Sequence, residues 1–240
     1  MEILIVRHAD PDYSIDSLTE KGWKEAELLS HKLSKLDVKA FYCSPLGRAQ
    51  DTASLTLKKM GREAETKDWL REFEGHIRYP DGTEKKICWD LMPSNWTKEE
   101  CYYSKDTWCD SDLMQSMNVE EEYKWVTEEW DKLVAKHGYV HEGNHYRVVN
   151  ENHDRIVLFC HYGVSCVLLA HMLGISPVML WQAFVMLPSS VTTIVTEERE
   201  QGTAIFRVMG YGDTGHLYAG DDEPSFAARW CECFSDETRH

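Results

Sequence analysis

The stretch Ile3-Leu4-Ile5-Val6-Arg7-His8 decides the reading of this chain. Four apolar residues in unbroken succession fit a strand buried on both faces, as the strands of parallel sheets are. The charged pair then falls where that strand ends. Open α/β sheets bind ligands outside the carboxyl ends of their strands, so Arg7 and His8 would make a small cationic site in that crevice. Arginine presents a planar fork that matches phosphate oxygens, and a neutral histidine can act as a nucleophile. By itself such a pair is more often a polar loop start. Three further segments change that balance.

The first runs from Cys43 to Ala53, Cys-Ser-Pro-Leu-Gly-Arg-Ala-Gln-Asp-Thr-Ala. Ala40 to Cys43 reads as a short strand, Ser44 as an N-cap and Pro45 as the first helical residue. Arg48 then lies in the first turn, where the helix dipole already favours negative charge, so the arginine calls for a compensating anion. The second is Arg155-Ile156-Val157-Leu158-Phe159-Cys160-His161-Tyr162-Gly163, which repeats the opening pattern of a buried strand ending on histidine. A helix from Val164 to Leu173 follows, ended by Gly174. The third, Leu70-Arg71-Glu72-Phe73-Glu74-Gly75, places carboxylates just after an edge strand near residues 63–66. Two acids in a polar loop carry little weight alone.

Together these segments resemble the phosphoglycerate mutase-like branch of the histidine phosphatase superfamily. Arg7-His8-Ala9-Asp10 is similar to its Arg-His-Gly-Glu signature. Leu18-Thr19-Glu20-Lys21-Gly22 with Ala26 resembles its "LTxxGxxQA" helix start, and Ser44 to Ala53 its "SPLxRAxxTA" segment. Leu70-Arg71-Glu72 resembles its acid motif, His161-Tyr162-Gly163 its "HGG" motif, and Pro188-Ser189-Ser190-Val191 the segment before its closing hairpin. The resemblance covers about residues 1–75 and 155–210. Ala9 and Tyr162 stand where the family has glycine, and Asp10 where it has glutamate; fine geometry and substrate preference follow from these departures. The mutases' longer acid motif, with Asn before the Glu and His-Tyr-Gly after it, is missing, and Pro11-Asp12-Tyr13 replaces their tryptophan-asparagine pair.

The resemblance implies an α/β fold: a three-layer α/β/α sandwich with a mostly parallel central sheet. It implies a metal-independent phosphatase acting on small phosphomonoesters through a phosphohistidine, with no cofactor. His8 would be the phosphoryl acceptor, Arg7, Arg48 and His161 would bind the phosphate beside it, and Glu72 would be the proton donor. A mutase and a non-catalytic phosphate-binding module are the alternatives; both histidines, both arginines and an acid argue against the second.

With 240 residues the chain can bury one large core, so residues 1–240 are expected to form a single domain. Its net charge of −15 argues against a nucleic-acid or anionic-membrane partner. The partner expected is a small phosphorylated metabolite, and a homo-oligomer is allowed. The opening apolar run is too short and strand-like for a signal peptide, no stretch is long enough to span a bilayer, and a cytoplasmic location is expected. The eight cysteines include no CxxC pair. Cys43, Cys160 and Cys166 fall on core elements and read as buried thiols, and Cys231-Glu232-Cys233 with His240 as tail residues short of a metal site.

Helix periodicity predicts a first helix from about Thr19 to Leu36, with Trp23, Ala26, Leu29, Leu33 and Leu36 on its apolar stripe, and a second from Pro45 to Met60. Strands are expected near 2–6, 40–43, 63–66 and 156–160, and a hairpin from Val191 to Val208 about Gln201-Gly202. The aromatic-rich segment at about 76–150 reads as an insert capping the site, since inserts at such rims carry specificity. Within it Glu120 to Lys136 reads as a helix. His137, His141, His145 and His153 read as the flanks of a polar hairpin about Glu142-Gly143-Asn144, with no metal bound.

Overall fold

The computed structural model describes residues 1–225 and 233–235. Its centre is an eight-stranded sheet built from β1 (Glu2–Arg7), β2 (Ala40–Cys43), β3 (Glu65–Thr66), β4 (Tyr139–Glu142), β5 (His145–Val148), β6 (Arg155–Cys160), β7 (Val191–Glu200) and β8 (Thr203–Asp213), in the order β3-β2-β6-β1-β7-β8-β5-β4. The half that ends at the candidate site, β3-β2-β6-β1, is parallel. From β1 outward to β4 every pairing is antiparallel. The expected hairpins are both present, and the second expected one, β4-β5, extends the main sheet.

Alternation along the central strands sorts their side chains into two cores. Leu4, Val6, Val157 and Phe159 pack with Leu29 and Leu33 of α1 (Glu20–Leu33) and Ala49 and Ala53 of α2 (Gly47–Met60). Ile3, Ile5, Ile156 and Leu158 face the opposite way. They join Val126, Trp130 and Val134 of α3 (Val119–Lys136) and Val164, Val167 and Leu168 of α4 (Tyr162–Leu173). A sheet buried on both faces explains why its strands read as continuous apolar runs.

Two helix readings need correction. Trp23 is 39% exposed. The buried face of α1 runs Gly22, Ala26, Leu29, Leu33, a spacing of four, three and four, which turns Trp23 outward. Gly22 leads that face because a Cβ there would sit 2.2 Å from the Asp10 carbonyl oxygen. Helix α2 begins at Gly47, with Leu46 in the N-cap position and no side-chain cap from its own residue. The Asp16 carboxylate accepts from the Gly47 amide at 2.7 Å instead. Gly61 ends the helix in the left-handed region, φ 62°, as expected. Cys43, Cys160 and Cys166 are buried and free. Cys231 and His240 lie outside the described residues. No described helix is long and apolar enough to cross a membrane.

Glu25, on the buried face of α1, has no solvent exposure and accepts from the Asp10 and Ser225 amides at 2.9 and 3.1 Å. Burial outweighs those bonds and raises its pKa to about 7. A carboxyl raised in the folded state stabilises fully below its unfolded value near 4.5 and loses that contribution as pH rises through 7. Glu25→Gln is therefore expected to flatten stability between pH 5 and 8 by about 1–3 kcal/mol relative to the parent. Urea melts at the two pH values check this, and an unchanged pH difference would refute it.

Candidate active site

Strand register assembles the site. Because β1 lies parallel to β6 with Arg7 opposite Cys160, the next residues along both strands, His8 and His161, emerge side by side. Their ring centroids are 5.1 Å apart. The His8 amide donates to the Cys160 carbonyl, and the Ser44 amide, one residue past β2, to the Phe159 carbonyl, so three strand ends meet at one rim.

The imidazoles have defined roles in hydrogen bonding. His8 Nδ1 lies 2.8 Å from the Ala9 carbonyl oxygen, which can only accept. The proton therefore sits on Nδ1, and Nε2 keeps a free lone pair. Burial, with Arg7 and Arg48 nearby, holds His8 well below the ordinary imidazole value, so the ring is neutral at pH 7. His161 is lowered in the same way, by burial first and then by His8 and the two arginines. Its Nε2 lies 2.7 Å from Ser44 Oγ, which also accepts from the Leu46 amide at 3.2 Å. A hydroxyl that accepts there can donate to Nε2, the arrangement that puts the His161 proton on Nδ1. Ser44 thus serves His161, where an N-cap was expected.

Both guanidinium groups are tethered and both keep a free donor. Arg7 is buried, its Nη1 donates to the Met186 carbonyl, and burial lowers its pKa. Arg48 Nη1 donates to Asp16 Oδ1 at 2.6 Å. Asp16 therefore supplies both the helix cap and the anion that Arg48 was expected to need. Sequence reading missed it; the only signal was an acid in the loop before α1. Arg7 Nε, Arg48 Nε and His161 Nδ1 are all buried without a partner among the described residues. With that tautomer, three unpartnered N–H groups beside a neutral imidazole could receive the oxygens of an anion.

Glu72 Oε1 accepts from the Phe73 and Val164 amides at 2.9 and 3.2 Å. Burial raises its pKa nonetheless, opposed by those amides and Arg7. It lines a cavity of about 270 Å³ with Arg7, Tyr13, Trp89, Tyr162 and Trp181. Glu74 is exposed and lies 3.6 Å from Arg71 and 4.0 Å from His76. The structure therefore gathers Arg7, His8, Arg48, Glu72 and His161 at one place and leaves Glu74 outside it.

The departures from the family pattern have local explanations. The Ala9 methyl packs with Leu18 and Ala26, while its amide donates to Thr52 Oγ1 at 2.9 Å. Asp10 accepts from Thr19 Oγ1 at 2.6 Å, a bond that fastens the start of α1. Tyr162 forms a wall of the cavity and donates to the Trp181 carbonyl at 2.6 Å. Away from the site, His137 bonds to the Tyr42 hydroxyl at 2.8 Å. Asp131 lies 3.1 Å from His141 Nδ1 and 2.9 Å from His171 Nε2, a carboxylate bridging two rings across α3, β4 and α4.

A neutral histidine, two arginines and a half-buried acid thus meet at the rim of the parallel half of the sheet in an α/β/α sandwich. Comparison with known proteins is specific: residues 3–207 match the sequence model of the histidine phosphatase superfamily (branch 1), and the chain belongs to that family. A 2,3-bisphosphoglycerate-dependent phosphoglycerate mutase from Thermoplasma acidophilum is 32% identical over 79 residues, 29% of this chain and 40% of the relative. One from Methanosarcina acetivorans is 34% identical over 128 residues, 42% of this chain and 50% of the relative. The match thus spans half or less of these relatives' length. Among solved structures, phosphoserine phosphatase from Entamoeba histolytica, in complex with phosphoserine, superposes with a TM-score of 0.59 at 17% identity, over 90% of this chain and 98% of that one. A mycobacterial glucosyl-3-phosphoglycerate phosphatase gives 0.56 at 18%, over 88% and 98%. At these identities the likeness establishes the fold.

Gly163 is a tight point beside Glu72. A Cβ there would lie 2.7 Å from both Glu72 Oε1 and Trp89 Nε1. Gly163→Ala must displace one or both, and displacements near 1 Å at a reacting centre lower rates by about a hundredfold. The expected result is a folded protein with kcat on alkyl phosphates reduced between about ten- and a hundredfold; parental kcat would show that Glu72 is not positioned there for chemistry.

Proposed function

We propose that this chain is a metal-independent phosphatase that hydrolyses small phosphomonoesters through a phosphohistidine on His8. The observation that carries the reading is the trio of unpartnered N–H groups on Arg7, Arg48 and His161, set around a His8 ring whose Nε2 is free. Phosphoryl transfer needs its non-bridging oxygens neutralised and the attacking and leaving atoms in line. Two guanidinium groups and an imidazole N–H supply the charge and donors that metal ions supply elsewhere. His8 Nε2 attacks phosphorus, the bond to the leaving oxygen breaks, and Glu72 gives that oxygen its proton. Water then attacks the phosphohistidine, its proton passes to the Glu72 carboxylate, and the N–P bond breaks. Burial shifts His8 toward its neutral form and Glu72 toward its protonated form, both in the direction the first step requires.

Of the segment at about 76–150 expected to cap the site, residues 119–148 pack into the core and the main sheet instead, and the same reading keeps residues 76–118 as the cap, since Trp89 reaches the cavity beside Glu72. It places the enzyme in the cytoplasm, acting on small metabolites. Return of the phosphoryl group to the substrate, as in the mutases among its relatives, is the competing outcome. It is separated by following isomerisation and free phosphate from 3-phosphoglycerate, with and without 2,3-bisphosphoglycerate.

Rapid quench with a phosphomonoester should trap an acid-labile, base-stable adduct on His8. His8→Ala should abolish turnover without loss of the thermal transition, and exhaustive chelation should leave the rate unchanged. Turnover by His8→Ala would end the covalent mechanism, and a chelator-sensitive rate restored by Zn²⁺ or Mg²⁺ would end metal independence.

Glu72→Gln should reduce kcat/KM on alkyl phosphates by about 10²–10⁴-fold, with a much smaller effect on p-nitrophenyl phosphate, whose leaving group needs no proton. Because Glu72 must be protonated in the first step, parental kcat/KM falls as pH rises through its elevated pKa, and the variant should lack that limb. If Glu74→Gln behaves this way instead, the donor is misassigned.

A further inference from the structure

We infer that the leaving group this site accepts is an uncharged, largely apolar alcohol, and that Trp89 is the residue that recognises it. The inference rests on the phosphatase reading above and adds the part of the substrate beyond the phosphate. Of the residues around the cavity, Arg7 and Glu72 belong to the phosphate and its chemistry. The remaining walls are Gln182 and the largely apolar Tyr13, Trp89, Tyr162, Trp181, Phe184 and Val185. Several of these aromatics have their polar ends occupied by the protein itself. Tyr162 Oη donates to the Trp181 carbonyl at 2.6 Å, and Trp181 Nε1 to the Gly163 carbonyl at 3.1 Å. Gln182, the one neutral amide in the lining, donates to the Trp89 carbonyl at 2.6 Å. What Tyr162 and Trp181 leave toward a ligand is carbon surface.

Charge points the same way. Apart from Arg7, no cationic side chain among the described residues lines the cavity, and Arg48 is held by Asp16 and the phosphate site. A carboxylate on the leaving alcohol would enter a site with no second cation to meet it, and an unpaired charge is not desolvated favourably. Trp89 Nε1 is the exception to the apolar walls: a buried indole N–H without a partner, 2.7 Å from the point over Gly163 that also lies 2.7 Å from Glu72 Oε1. It can therefore donate to an oxygen close to the one Glu72 protonates, while its ring, packed edge-on to Tyr162 at 5.4 Å, covers the adjoining carbon chain. The cavity's size, about 270 Å³, suits a single small group of this kind.

The test compares alkyl phosphates of similar leaving-group acidity: 2-phenylethyl phosphate, 3-phosphoglycerate, phosphoserine and methyl phosphate. The expected order of kcat/KM puts 2-phenylethyl phosphate at least tenfold above either carboxylated ester. Trp89→Ala should remove most of that advantage, chiefly through KM, with methyl phosphate less affected. Val185→Arg, at a half-exposed wall position, should raise kcat/KM for 3-phosphoglycerate by supplying the missing cation. A parental preference for 3-phosphoglycerate or phosphoserine would overturn this inference while leaving the phosphatase reading standing. Equal losses on 2-phenylethyl and methyl phosphate in Trp89→Ala would also overturn it, by making Trp89 a support of the catalytic machinery. Absence of turnover on every ester would remove both readings together.

Discussion

The parallel pairing of Glu2–Arg7 with Arg155–Cys160 is the constraint on which everything else in the structure depends. It sets two histidines one residue past two adjacent strand ends, at a spacing that side-chain contacts alone would not impose. A one-residue slip would turn every side chain of β1 to the opposite face. Ile3 and Ile5 would then leave the large core, and His8 would lose its place beside His161. The apolar packing of both faces therefore holds the catalytic register, and the stability of the core and the geometry of the site are one property.

That register also forces an electrostatic problem. It brings two guanidinium groups and two imidazoles together under cover, inside a molecule of net charge −15. The protein's response is uneven. Arg48 receives a carboxylate, Asp16, whereas Arg7 receives a backbone carbonyl, and burial lowers the Arg7 pKa. The histidines respond by staying neutral. An anion with several oxygens would satisfy the remaining N–H groups at once. Burial first, and the positive surroundings after it, keep His8 unprotonated, which is the form of the ring with a lone pair free on Nε2.

How much of this was legible in the sequence depends on range. Buried strands announce themselves by continuous apolar runs, and two such runs ending on histidine located the rim of the sheet; Arg48 followed from its place in a helix's first turn. Asp16 could not be found this way, because its partnership with Gly47 and Arg48 crosses thirty-odd residues of chain and leaves no periodic trace. Ser44 was legible as a residue but misread in role: local rules favour serine as a cap, and only the neighbouring strand supplies His161 as its partner. Trp23 misled for a different reason. Hydrophobicity placed it on the buried stripe, but the contact between Gly22 and Asp10 fixes the rotation of α1 and turns the indole outward. The strands β4 and β5 read correctly as a hairpin, yet nothing local to them specified that they would join the sheet.

Gly163 and Tyr162 connect these levels. The helix that follows β6 must start immediately after His161, so its first residues stand at the mouth of the site. A glycine is needed at the second of them because Glu72 and Trp89 approach from other segments into the space a Cβ would fill. The first has no such restriction, and here it carries a tyrosine whose hydroxyl fastens the segment from Trp181 to Phe184 against the cavity. The geometry around Glu72 is thus held by the position that tolerates no side chain. The adjoining position, free to carry a large one, shapes what the site can admit, so within one dipeptide the reaction is kept fixed and the substrate is left open to change.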